Sequence, residues 1–84
     1  MQIIHTTKFA RQYKKLTPDV QEIAESKEAI FTLNPFDTRL KTHQLSGPLE
    51  GLYSFSVTQS IRIIFKKYED CIIFLRIGTH NIYD

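Results

Sequence analysis

Two histidines, two arginines and a lysine are the residues through which this chain could do chemistry. His80 closely follows Gly78, where a strand ends and the backbone can turn. His43 lies two residues after Lys41, and Arg62 and Arg76 are set among apolar residues of the C-terminal half. An imidazole, with an ordinary pKa of ~6.5, gives or takes a proton at neutral pH. A guanidinium presents planar donors that suit phosphate oxygens and stabilise the extra charge of a phosphorane-like transition state. Cleavage of RNA without a metal needs a base near the 2′-hydroxyl, an acid near the leaving 5′-oxygen and cations on the scissile phosphate. His43, His80, Arg62, Arg76 and Lys41 could fill those roles. The competing expectation is that each arginine pairs with Glu50, Glu69 or Asp70, or stays solvated, and that both histidines are ordinary surface residues. His5 is set aside as structural or exposed. The scattered histidines lack the spacing and paired carboxylates of a metal site, so neither a metal nor a cofactor is expected.

These residues need a platform. From Tyr53 to Ile77 the chain alternates: Tyr53, Phe55 and Val57, then Ile61, Ile63 and Phe65, then Ile73, Leu75 and Ile77 are apolar. Period-two alternation of aromatic and β-branched residues predicts strands buried on one face. Three strands in an antiparallel meander follow, with Ser56, Arg62 and Arg76 on the other face. If the turn near Tyr68-Glu69-Asp70 holds three residues, Arg62 lies directly opposite Arg76. A two-residue turn puts them on opposite faces. The apolar parity favours the longer turn, because a one-residue slip reverses every side chain. Two adjacent guanidiniums then repel unless an anion lies between them.

Upstream, Gln2-Ile3-Ile4-His5 reads as one short strand. Thr6 or Thr7 caps a helix through Lys15, with Phe9, Tyr13 and Leu16 as its apolar stripe. Thr17-Pro18 starts a second helix, which buries Val20, Ile23, Ala24, Ile30 and Phe31 and stops at Asn34-Pro35. Residues 36 to 51 are irregular. The expected fold is α+β: a small antiparallel sheet, of the N-terminal strand plus the meander, under a helical hairpin.

Composition sets the bounds. Eighty-four residues make one domain, which buries only ~60% of its unfolded surface. With 42% hydrophobic and 24% charged residues the chain is globular, and its +2 charge permits a nucleic-acid partner without demanding one. The single cysteine, Cys71, excludes an internal disulfide and reads as a small core hydrophobe. No apolar run is long enough to span a membrane, and a cytoplasmic location is expected.

Three short motifs carry a resemblance: Thr-His-x-Leu-x-Gly at 42–47, Arg-Ile-Ile-Phe at 62–65 and Ile-Gly-Thr-His at 77–80. In combination, over about residues 34–83, they resemble the RelE/ParE superfamily of toxins from type II toxin–antitoxin pairs, nearest its YafQ-like mRNA interferase branch. The resemblance implies a toxin that enters the ribosomal A site, cuts mRNA and is silenced by a cognate antitoxin wrapped around it, in a heterotetramer or larger complex. Carried over by motif, His43, Arg62, Arg76 and His80 are the implied catalytic residues. Lys41, Ser56 and Tyr83 are the implied RNA contacts.

The sequence also departs from that pattern. YafQ-like chains have a histidine and an aspartate in the central hairpin, where this one has Ser56 and Ser60. Tyr83 stands one residue nearer to His80 than the usual terminal aromatic. The turn that is lysine-rich in many relatives contains Ser46, Pro48 and Glu50. Fewer acid–base groups and a less basic turn imply slow cleavage, a changed mechanism or none. The rival class is a binding module: a ParE-like inhibitor of DNA gyrase, or a degraded toxin that binds only its antitoxin.

Overall fold

Thr6 opens the first helix by accepting the Phe9 amide on its hydroxyl, at 3.1 Å. The computed structural model describes residues 1–83. Strand β1 (Gln2–His5) leads into α1 (Thr7–Lys14) and then α2 (Pro18–Leu33). Arg11 and Lys14 occupy the last turn of α1, near the negative end of its dipole. Pro18 starts α2, where its missing N–H costs nothing, and Asp19 sits in the first turn. Asn34 ends α2 in extended backbone, as a residue before proline must. A 3-10 turn at Thr38–Leu40 precedes β2 (His43–Gln44), and another at Gly47–Leu49 precedes β3 (Tyr53–Ser56). The chain closes with β4 (Arg62–Lys67), β5 (Cys71–Gly78) and a 3-10 turn at His80–Tyr83.

The five strands form one sheet in the order β1-β5-β4-β3-β2. The expected meander is β3-β4-β5. The expected all-antiparallel sheet is corrected in one respect and extended in another. β1 runs parallel to β5, so the sheet is mixed, and the irregular stretch contributes a two-residue edge strand, β2.

The helices cover one face. Phe31 of α2 is the centre of that core, fully buried with ring centroids 4.8, 4.9 and 5.3 Å from Phe55, Phe65 and Phe74. Phe9, Ala24, Leu40, Val57, Ile63, Ile72 and Ile77 complete it. Ile23, expected inside, is exposed, because α2 lies on the sheet through Ala24 and Phe31 and turns Ile23 outward.

Parity in β5 also corrects the expectation. Ile72 and Phe74 face the helices; Ile73 and Leu75 do not join the core. The hairpin turn is tight, with the Tyr68 amide donating to the Cys71 carbonyl at 2.8 Å and only Glu69 and Asp70 between them. That shifts β5 by one residue. A bulge then shifts it again: Phe65 pairs with Phe74, but Ile64 pairs with Arg76, so Leu75 has no partner in β4. Arg62 therefore lies opposite Gly78, not opposite Arg76. Cys71 shares the outer parity of Ile73 and is half-buried outside the core.

Among the described residues no helix is long and apolar enough to cross a membrane.

Candidate functional site

The sheet face away from the helices collects the residues singled out above. Pairing is continuous across four strands in one row: Arg76 on β5 opposes Ile64 on β4, Ile64 opposes Ser54 on β3, and Ser54 opposes His43 on β2. Paired residues share a face, so all four side chains leave the sheet on the same side. At ~5 Å per paired step the row spans about 15 Å from backbone to backbone. One row along, Ser56 opposes Arg62 and Arg62 opposes Gly78.

The terminal 3-10 turn folds over this face. Gly78 makes that possible, because a Cβ there would stand 2.7 Å from Ile82 Cγ2. Ile82 is buried, as are Ile64 and Ser54 beneath the turn. Two side chains tie the turn down. Arg76 Nη1 donates to the Ile82 carbonyl, and the Tyr83 hydroxyl lies 2.9 Å from Ser54 Oγ. Tyr83 in turn flanks His80, with ring centroids 5.7 Å apart. A connected path thus runs from exposed His43, through its strand neighbour Ser54 and Tyr83, to exposed His80.

His43 has an assigned orientation. Its Nδ1 lies 3.1 Å from the Lys41 carbonyl. A carbonyl only accepts, so Nδ1 carries the proton and Nε2 of the neutral ring is left as a base. Lys41 supplies that carbonyl from left-handed backbone, φ 54°, unusual for a residue with a side chain. The Lys41 side chain is exposed at the sheet edge.

The two arginines share the face but not a pocket. Arg62 Nη1 donates to Ser56 Oγ at 2.6 Å and to the Thr58 carbonyl at 3.0 Å. Both acceptors are uncharged. Among the described residues no carboxylate comes within ion-pair distance of Arg62, so its charge is available to an anion. Arg76 is engaged with the C-terminal turn instead. The expected contact of Ser56 with Arg62 is present; the facing arginine pair is replaced by an offset of one pairing step.

Ser54 falls on the outward face by parity, but its bond to Tyr83 and the role of Ile82 lie beyond the sequence reading. Ser54 had a signal: a small hydroxyl at outward parity between Tyr53 and Phe55. Ile82 had none, since a single apolar residue near a chain end has no period to match.

A cavity of about 720 Å³ lies on the opposite side between α1 and α2. His5 and Glu28 meet at its wall, with Nε2 3.0 Å from Oε1, and His5 stacks on Phe9. This makes His5 a brace between β1 and α2, away from the row. Tyr13, also in the wall, has its phenol pKa pushed up, first by burial and then by Glu25 and Glu28. No group of three or more metal-ligating side chains occurs among the described residues.

Residues 1–83 match the family model described as "Bacterial toxin of type II toxin-antitoxin system, YafQ". The chain belongs to the YafQ toxin family. Solved structures agree on the fold. YafQ from E. coli strain BL21(DE3) superposes with a TM-score of 0.77 at 20% identity, covering 98% of this chain and 96% of that one. A YoeB/ParE toxin from Agrobacterium tumefaciens gives 0.79 at 16% identity, covering 95% and 99%. An archaeal RelE-RelB complex from Pyrococcus horikoshii OT3 gives 0.76 at 14% identity, covering 93% and 92%. At these identities the structures speak for the fold alone. No curated protein matches the chain significantly.

Proposed function

We propose that this member of the YafQ toxin family is a ribosome-dependent mRNA endonuclease that works without a metal. The observation that carries the reading is one sheet face with His43, Arg62 and Arg76, under a terminal turn that carries His80 and Tyr83. In the proposed mechanism His43 Nε2 takes the proton of a 2′-hydroxyl. The freed oxygen attacks the adjacent phosphorus. His80, protonated, delivers a proton to the departing 5′-oxygen. The products are a 2′,3′-cyclic phosphate and a 5′-hydroxyl. Arg62 meets the negative charge that builds on the phosphoryl oxygens, and Arg76 holds the turn carrying His80 while adding to the positive field. Lys41 and Ser56 contact RNA at the rim, and the Tyr83 ring is a surface for a base.

A cognate antitoxin is the proposed partner and regulator, in a heterotetramer or larger complex in the cytoplasm. Support comes from a solved structure described as the toxin–antitoxin complex RelBE2 from Mycobacterium tuberculosis and from the RelE-RelB complex of Pyrococcus horikoshii.

One observation favours a second reading. Arg62 already spends donors on Ser56, where YafQ-like chains carry an acid–base group, so the fold could serve binding alone. That reading covers a gyrase inhibitor or a toxin that only engages its antitoxin. Mapping RNA ends after induction, with and without the neighbouring gene, separates the two. Codon-phased cuts that vanish in folded His80→Ala support the endonuclease. Growth arrest with intact mRNA and damaged DNA supports gyrase.

A further inference from the structure

β5 carries a sequence that a plain strand cannot satisfy. Phe74 and Ile77 are both buried against the helices, yet they are three residues apart. Strand side chains alternate with period two, so both face inward only if one residue is inserted between them. Leu75 is that insertion. Without it the pairing of Lys67 with Ile72 would continue unbroken and set Arg76 against Ile63. The guanidinium would then point under the helices, and Ile77 would face outward.

Helix α1 grips both sides of the insertion. The Thr6 amide donates to the Phe74 carbonyl at 3.2 Å. The Thr6 hydroxyl donates into the paired carbonyls of Phe74 and Leu75, 3.1 and 3.2 Å away, while its oxygen caps α1. Past the bulge, Gln12 Oε1 accepts the Ile77 amide at 2.9 Å. β1 pairs with β5 only as far as His5 and Phe74. Thr6 and Gln12 therefore take over where the neighbouring strand stops.

We infer that Thr6 and Gln12 are positioning residues of the candidate site: they clamp the β5 bulge that the burial of Phe74 and Ile77 requires, and the clamp fixes where Arg76 stands on the outer face. Neither touches substrate. Both act through Arg76 and the C-terminal turn that Arg76 holds. The functional half of this inference rests on the endonuclease reading; the register half does not.

Two readouts on the full-length chain keep those halves apart. By NMR, Gln12→Met and Thr6→Val are expected to weaken the backbone contact between Ile64 and Arg76 while still melting cooperatively. Gln12→Glu and Thr6→Ser, which keep the bonding oxygen, are expected to retain it. Unchanged Ile64–Arg76 contacts in Gln12→Met and Thr6→Val overturn the clamp, whatever the activity. If Gln12→Met does not fold, Gln12→Asn, one methylene short, takes its place: weakening of the same contacts supports the clamp and their full retention overturns it. In the cleavage assay Gln12→Met should slow the reaction on the order of 100-fold, the scale of a ~1 Å misplacement. Adding Gln12→Met to Arg76→Ala should cost nothing further. Additive losses refute action through Arg76. A wild-type chain that cuts no RNA refutes the endonuclease reading, and the NMR contacts then decide the clamp alone.

Discussion

Replacing Ser54 by alanine tests the bond that pins the C-terminal turn, and its partner Tyr83 makes the test asymmetric. Ser54 is fully buried, and Tyr83 supplies the hydrogen bond to its hydroxyl. Ser54→Ala deletes the buried group together with the bond. The Tyr83 hydroxyl, on a half-buried side chain at the surface, can turn to water, so the net loss is about 0.5–1.5 kcal/mol. Tyr83→Phe instead strands the Ser54 hydroxyl in the interior, at a cost of about 1–3 kcal/mol. The double variant removes both ends and should be no less stable than Tyr83→Phe alone. For a domain this small, 1 kcal/mol moves the melting midpoint by about 4–8 °C, which circular dichroism resolves. A larger drop in Tyr83→Phe than in Ser54→Ala, with partial recovery in the double variant, is the expected pattern. Equal and additive drops refute the buried bond, and with it the account of how His80 is held over the sheet.

Gly78→Ala places a methyl group 2.7 Å from the branched, buried side chain of Ile82, so the terminal turn must lift. Faster amide exchange at Ile82 with little change elsewhere is expected; unchanged exchange contradicts the close approach. Phe31→Ala empties the centre of the core and should cost about 3–5 kcal/mol. At roughly 0.05–0.15 kcal/mol per residue a chain this long has about 4–13 kcal/mol to lose, so the melting midpoint should fall by more than about 10 °C; a smaller shift contradicts the central place of Phe31. Ionised Asp37 accepts a side-chain bond from Arg39, which together with the Arg39 amide and charge lowers its pKa from 3.8 to about 2. The folded carboxylate then holds its proton less tightly than the unfolded one. Its contribution to stability is full above 3.8 and disappears as pH falls toward 2. The stability gap between wild type and Asp37→Asn should close over that window; a constant gap contradicts the assignment.

Much of the scaffold was legible because local chemistry and burial agree there. Thr6, Pro18 and Asn34-Pro35 mark helix ends by capping and by proline sterics, and the structure uses them so. Ser56 and Arg62 pair as alternation requires. β5 resisted the same reasoning, since Cys71 to Leu75 is apolar at every position and alternation cannot choose a face. The turn proved one residue shorter than expected and the strand one residue longer. The two differences cancel in parity, so the arginines share a face although their pairing is offset. The parallel partner of β5 was not readable either, because four residues of β1 carry no mark of which edge they join. The proximity of Ser54, Tyr83 and His80 depends on a turn whose path is set by Gly78 and Ile82 packing, a tertiary effect with no local signature.

In the proposed reaction this sheet face cleaves RNA through the nucleotide's own 2′-oxygen. The most direct test of that reaction uses purified chain, ribosomes and an mRNA carrying one 2′-deoxynucleotide at the mapped cut position. Cleavage of the all-ribose message to a 2′,3′-cyclic phosphate and a 5′-hydroxyl, and none at the deoxy position, is the expected result. Cleavage that persists at the deoxy nucleotide, or 5′-phosphate ends on the all-ribose message, would contradict it.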